Sequence, residues 1–171
     1  MKPGFRERLA AIPWTEYRTA YGDAAGEHWF ETASGQRTER WGSVPEQLIA
    51  LASSDVPTAM AASHHLWCCL CHQHAYVSSA ALPALPFLLE IIEDASDEVA
   101  VEILDIVAGF ATCSNGDASR QEGWVRELRT RLVAEQDRFA QLANHAHSGI
   151  ADWSGRVLEE LGLGAAPRVT Q

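Results

Sequence analysis

The chain has 171 residues, 47% hydrophobic and 21% charged, with a formal net charge of −10. That is long enough for one domain with a core of its own, and the composition is ordinary for a globular protein. No run of eighteen apolar residues occurs, and Met1 to Arg8 carry no apolar signal core. The sequence therefore predicts neither a membrane span nor a secretory leader, and points to the cytoplasm.

Charge is distributed unevenly. Between Arg40 and Arg120 there is no Lys or Arg, while Glu46, Asp55, Glu90, Glu93, Asp94, Asp97, Glu98, Glu102, Asp105 and Asp117 all fall there. Outside that window thirteen acids balance thirteen bases, so the whole excess lies inside it. A one-signed stretch repels nucleic acid and anionic lipid and attracts a basic partner or a cation. It is also what a solubilising surface looks like.

In chain order, residues 1–42 read as an irregular, aromatic-rich N-terminal cap carrying Phe5, Trp14, Tyr17, Tyr21, Trp29, Phe30 and Trp41. Within it, Arg6 to Ile12 suits a short helix and Glu27 to Thr32 a short strand. Ser43-Val44-Pro45-Glu46 is a capping box with Pro in the first turn, opening a helix to about Ser53. Asp55, with Pro57 following, caps a second helix to about Cys71. His72 to Val77 is a turn. Ser78 or Ser79 then opens an almost wholly apolar helix to Ile92, bent at, or beginning near, its prolines Pro83 and Pro86.

After the acidic turn Glu93 to Glu98, Val99, Ile103, Ile106, Val107 and Phe110 mark one apolar face of a further helix. Glu98, Glu102 and Asp105 form a separate acidic stripe on it, turned away by about 110–120°. Thr112 to Ala118 reads as a loop, and Ser119-Arg120-Gln121-Glu122 as another capping box. It starts a long amphipathic helix with Leu128, Leu132, Phe139 and Leu142 inside. Arg126, Arg129, Arg131 and Arg138 interleave with Glu127, Glu135 and Asp137, as on a solvated outer face. A last helix from Ile150 to Leu161 buries Ile150, Trp153, Val157, Leu158 and Leu161 and stops at Gly162. No stretch argues convincingly for a sheet. The expected fold is all-α, a short α-solenoid of antiparallel helix pairs over residues 43–162, with a loose tail at 163–171.

Leu85 to Val99 resembles a HEAT repeat: an apolar first helix carrying a proline, an acidic turn, then Val99 opening the second helix. Trp41-Gly42-Ser43-Val44-Pro45, Leu66-Trp67, His72-Gln73 with Tyr76, and Ala84 to Leu89 are similar to a family of bacterial HEAT-repeat proteins, over about Tyr21 to Phe110. Helical-repeat proteins of this size include immunity proteins of bacterial toxin systems. One departure stands out. The family usually places Arg after the residue matching Val99, where it pairs with the turn aspartate; here Ala100 follows. The resemblance thus implies that Asp94 and Asp97 lack their usual internal partner.

His64, His65, Cys68, Cys69, Cys71, His72 and His74 invite a metal reading. One straight helix supplies two ligands well and four badly, and no second Cys/His segment of suitable spacing accompanies it. Cysteines in an Ala-rich helix pack as small hydrophobes, so neither metal nor other cofactor is expected. A catalytic Cys–His pair could be assembled from Cys113 with some histidine, but nothing in the sequence fixes a base or an oxyanion site. The sequence predicts a non-enzymatic scaffold that binds a basic protein, such as a toxin domain, through Glu93, Asp94, Asp97, Glu98, Glu102 and Asp105. No nucleic acid or membrane is expected as a partner. The alternative is a HEAT-like enzyme or nucleic-acid-handling protein, similar to the helical-repeat DNA glycosylases, which need a basic face for phosphates.

Overall fold

Local signals set the helix starts. Ser43 Oγ accepts from the Glu46 amide while the Glu46 carboxylate accepts from the Ser43 amide at 2.7 Å, completing the capping box. Asp55 accepts from the Thr58 amide at 3.1 Å, and Ser96 from the Val99 amide at 3.5 Å. A computed structural model of the chain describes residues 4–31, 37–116 and 122–164. Among them are eight α-helices: α1 (Phe5–Ala10), α2 (Val44–Leu51), α3 (Val56–Leu70), α4 (Ala81–Ile92), α5 (Asp97–Cys113), α6 (Gly123–Ala134), α7 (Gln136–Leu142) and α8 (Ser148–Glu160). Helix dominates, and among the described residues no helix is long and apolar enough to cross a membrane.

The N-terminal segment holds more regular structure than its composition suggests. Two antiparallel hairpins are present, β1 (Arg18–Thr19) with β2 (Gly22–Asp23) and β3 (His28–Glu31) with β4 (Arg37–Gly42). The strands are too short and irregular to show a two-residue alternation, which is why only β3 was foreseeable. Backbone bonds sew this segment to the helices: the Ala20 amide donates to Cys69 O, the Ala80 amide to Arg18 O, and the Val44 amide to Ala24 O. Phe5, Trp14 and Trp41 are buried, and Phe5 meets Phe87 of α4 edge-on at 5.3 Å. Arg8 of α1 reaches Glu90, the buried carboxylate of α4, at 2.6 Å.

Those same bonds explain why neither Ser78 nor Ser79 caps α4. Ser79 Oγ accepts from the Arg18 amide, and the Ser78 amide donates to Leu70 O. Helix α4 instead begins at Ala81, leaving Pro83 in the first turn, where an amide hydrogen has no helical acceptor to lose.

Helix α5 lies against α3, α4 and α8, with α6 closing its far end. Ile103, Leu104, Ile106, Val107 and Phe110 are fully buried there, each contributing about 1.5–3 kcal/mol by leaving water. On one side α3, α5 and α8 contact in sequence; on the other α2 contacts α4, and α4 contacts α6. The C-terminal stretch departs from a single long helix. It is interrupted at Glu135, because α6 packs on α4 and α5 while α7 packs on α8. Arg129 and Arg138 also turn inward. Arg129 donates to Glu160 O at 3.2 Å and Ala111 O at 3.5 Å; Arg138 donates to Leu89 O at 2.8 Å. Carbonyls at helix C-termini need such donors, and the helix dipole favours a cation there. Of the Ser119–Glu122 capping box only Glu122 is among the described residues; it precedes α6 and makes no side-chain cap bond.

Gly109 sets the close approach of the 3₁₀ turn His72–His74 to α5. A Cβ there would lie 2.8 Å from Cys71 Sγ, 2.9 Å from Cys71 Cβ and 2.7 Å from His74 Cδ2. Gly155 of α8 faces open space. Alanine is the better helix former at both positions by about 1 kcal/mol. Gly155→Ala should therefore stabilise by up to about 1 kcal/mol. Gly109→Ala should destabilise by about 1–3 kcal/mol through overpacking. Urea unfolding of the two variants checks the opposite signs; a stabilised Gly109→Ala would show that the turn does not sit on α5.

Candidate partner-binding face

The acidic residues divide into two groups. Glu93, Asp94, Asp97 and Glu98 are exposed around the α4–α5 turn, whereas Glu102 and Asp105 are half-buried farther along α5. The stripe is thus wet only at its N-terminal end, because α3 and α8 close over the rest. The turn is also less bare than the missing arginine implies. Arg138 of α7 lies 3.2 Å from Glu93, and Asp94 has a partner within the chain. The turn thus receives a cation from a separate helix, α7.

Glu102 and Asp105 sit in an unusual setting. Burial raises the Glu102 pKa above the usual carboxylate value; Asp105 adds to the shift, and His64 opposes it. Burial likewise raises Asp105, opposed by His74 and Arg156. The Asp105 carboxylate pairs with His74 Nε2 at 2.7 Å, and the Asp105 carbonyl lies 3.0 Å from the same nitrogen.

Beside these carboxylates runs a ladder of rings. Trp41 stacks on His65 at 4.8 Å and meets His64 edge-on at 6.3 Å. His64 stacks with Trp67 at 6.2 Å, Trp67 meets His74 at 6.5 Å, and His74 meets Trp153 at 6.0 Å. The Arg156 guanidinium closes the row, 5.9 Å from the Trp153 ring centroid. Trp67 and Trp153 are half-buried and His64 is exposed, so Trp153 is less enclosed than a core position. The ladder runs from β4 through α3 and the 3₁₀ turn to α8, and touches the acidic strip of α5 where His74 meets Asp105. Sequence reasoning missed it as a unit, since its rings come from segments far apart in the chain. The i, i+3 pair His64 and Trp67, on the opposite side of α3 from Leu66 and Cys69, was the only local hint.

The Cys/His segment separates by side-chain direction. Cys68, Cys69 and Cys71 are buried free thiols, and burial pushes Cys69 up to about 12. Cys69 Sγ lies 3.5 Å from His28 Nδ1, and His28 Nε2 is 2.9 Å from Asp23 O. This Cys–His pair is enclosed, with its thiol held protonated, and offers no nucleophile. Cys113 is half-buried, and burial and Glu160 raise its thiol too. His65 is 3.2 Å from Gln47 Oε1 and 3.5 Å from Glu39, while His74 turns to α5. Among the described residues no group of three or more His, Cys, Asp or Glu is placed to hold a metal.

No protein-family model, curated protein or solved structure matches the chain.

The enclosed histidines make stability depend on pH. Burial lowers the pKa of His28 and of His65, with the Asp23 carbonyl and Glu39 opposing the shifts. Unfolded histidine binds its proton near about pH 6.5. Both groups therefore contribute stability that is present above that pH and is lost as pH falls through their lower folded values. Unfolding free energy should drop between pH 7.5 and 5.5, and His28→Asn and His65→Gln should each lessen the drop. A profile unchanged in both variants would mean that these rings are already solvated in the folded protein.

Proposed function

We propose that this protein is a non-enzymatic scaffold of the HEAT-like α-solenoid kind whose α3–α5–α8 layer binds a basic protein. A toxin-neutralising immunity protein is the form of this reading that suits the chain best. The observation that carries it is the placement of Glu102 and Asp105, partly desolvated carboxylates, beside a row of tryptophan and histidine rings on a layer that draws no Lys or Arg from residues 41–119. Helical layers of this type present broad faces to partners, and aromatic residues are enriched where such faces bind.

The use of the arginines favours a protein partner over nucleic acid. Arg129 and Arg138 are directed at helix carbonyls, Arg131 pairs with Glu127 at 2.6 Å, and Arg156 lies over Trp153. Such engaged cations make a poor phosphate track. The enclosed thiols, with their raised pKa values, favour a binding role over covalent catalysis.

Complementary charge should act mainly on association. Co-expression with the product of the adjacent gene, or a pull-down from the native cell, gives the partner for the test. Its association rate should fall steeply from low to physiological salt, as exposed charges are screened beyond about 8–10 Å. Replacing Asp97, Glu98 and Glu102 together by Lys should weaken binding at least tenfold more than replacing Glu127 and Asp137 on α6 and α7, a factor of about 1.4 kcal/mol or more. Equal effects of the two sets, with both proteins folded by circular dichroism, would reduce the acidic strip to a solubilising surface.

A further inference from the structure

The edge of the layer where α3 and α5 begin carries a small cleft. It lies between the turn joining α2 to α3 and the turn joining α4 to α5, and its volume is about 220 Å³. Leu51, Ile91 and Val99, from three different helices, form its floor and are 1%, 4% and 3% exposed. Val56 and Ala95 are half-buried walls, and Ser53, Ser54 and Ser96 stand exposed at the mouth. Two of these serines are already engaged: Ser53 Oγ accepts from the Asp55 amide at 3.1 Å, and Ser96 Oγ from the Val99 amide at 3.5 Å. The cleft therefore offers apolar surface more than hydrogen bonds.

Carboxylates surround it. Asp94 lines the cleft, and the exposed first-turn acids of α5, Asp97 and Glu98, lie in the chain between the cleft residues Ser96 and Val99. Across the mouth Asp55 falls between Ser54 and Val56 and caps α3 through the Thr58 amide. Neither residues 52–58 nor residues 93–99 include a Lys or Arg. Arg138 reaches this edge at Glu93, and Asp94 has a partner within the chain. Among the described residues Asp97 and Glu98 have no ion pair.

We infer that this cleft takes one large apolar side chain of the partner protein, carried between Lys or Arg residues that meet Asp97 and Glu98. The inference rests on the reading of the chain as a scaffold for a basic protein. It adds an apolar contact to the charged ones and places it at the N-terminal edge of α3 and α5. The cleft is smaller than the about 300–1,000 Å³ of a small-molecule pocket, a size that suits a single side chain. Charge complementarity sets the flanks, since an apolar floor inside an acidic rim matches an apolar residue inside a basic segment. Interface energy concentrates in side chains that fill such desolvated pockets, while the exposed charges around them quicken association and fix the register.

The probes are blocked peptides added to the whole protein at low ionic strength: Lys-Arg-Leu-Arg-Lys, the same peptide with Ala in place of Leu, and the neutral Gly-Gly-Leu-Gly-Gly. Methyl resonances of Leu51, Ile91 and Val99 report the cleft. The basic leucine peptide should saturate, should shift those methyls, and should bind at least about fivefold tighter than the alanine peptide, because it buries more apolar surface. The neutral peptide should not saturate. Ala95→Leu, which fills the cleft from its wall, should cut the leucine advantage to less than about twofold. Ser54→Leu, from the mouth, should do the same and serves if the first variant does not fold. Asp97→Asn combined with Glu98→Gln should weaken both basic peptides alike and leave their ratio unchanged. The leucine-to-alanine comparison on wild type stands whether or not any variant folds. Equal binding of the two basic peptides, or a leucine advantage that survives the filling variants, would overturn the cleft and leave the basic-partner reading standing. Neutral-peptide binding as tight as that of the basic one would overturn the cationic flanks. Absence of saturable binding by either basic peptide would overturn both the cleft and the basic-partner reading.

Discussion

The enclosure of α5 is the constraint from which the rest follows. Its apolar positions are claimed by α3, α4 and α8, and the line carrying Glu98, Glu102 and Asp105 is exposed at Glu98 and half-buried at Glu102 and Asp105. Two glycines set how near the neighbours come. Gly109 admits the His72–His74 turn, and Gly149 admits Val101, whose Cγ2 would lie 2.9 Å from a Cβ at that position. The resulting spacing lets His74 reach Asp105 and brings Trp153 within ring contact of His74. A purely structural device, close packing at small residues, therefore shapes the chemistry of the face.

The charge imbalance acquires a spatial meaning in the same way. Two arginines of the C-terminal helices, Arg129 and Arg138, are half-buried rather than part of a solvated basic counterweight to the acidic middle. Arg129 and Arg138 serve the carbonyl ends of α4, α5 and α8, and Arg138 also holds Glu93 and Glu135. Arg8 performs a similar task for Glu90. The acids at the turn are thus partly neutralised from within, while Glu102 is left with only His64 opposing its charge-disfavouring surroundings. Affinity in protein interfaces concentrates at a few desolvated anchors rather than over every charged residue. That argues for a hierarchy among the six carboxylates instead of one uniform patch.

What the sequence reveals here follows the range of the interaction. Caps such as Ser43 and Asp55 bond to amides three residues away, and their helices could be placed before any coordinates. The stop at Gly162 is equally local, with a φ of 75° that glycine adopts freely. Ser78 and Ser79 look like caps by the same rules and are diverted by contacts with Leu70 and Arg18. The break at Glu135 falls within an unbroken amphipathic pattern and depends on which neighbours α6 and α7 pack against. Glu102 and Asp105 were identifiable as a stripe, but their partial burial depends on α3 and α8. The ring ladder was the least visible, because Trp41, Trp67 and Trp153 meet no periodicity rule together.

The claim that one layer of helices receives a basic partner is tested most directly by amide hydrogen exchange on the complex. The account predicts new protection concentrated in α3 from His64 onward, the His72–His74 turn, the exposed side of α5 around Glu102, and the Trp153 region of α8. Protection confined to α2, α4 and α6, with these segments exchanging as in the free protein, would contradict it.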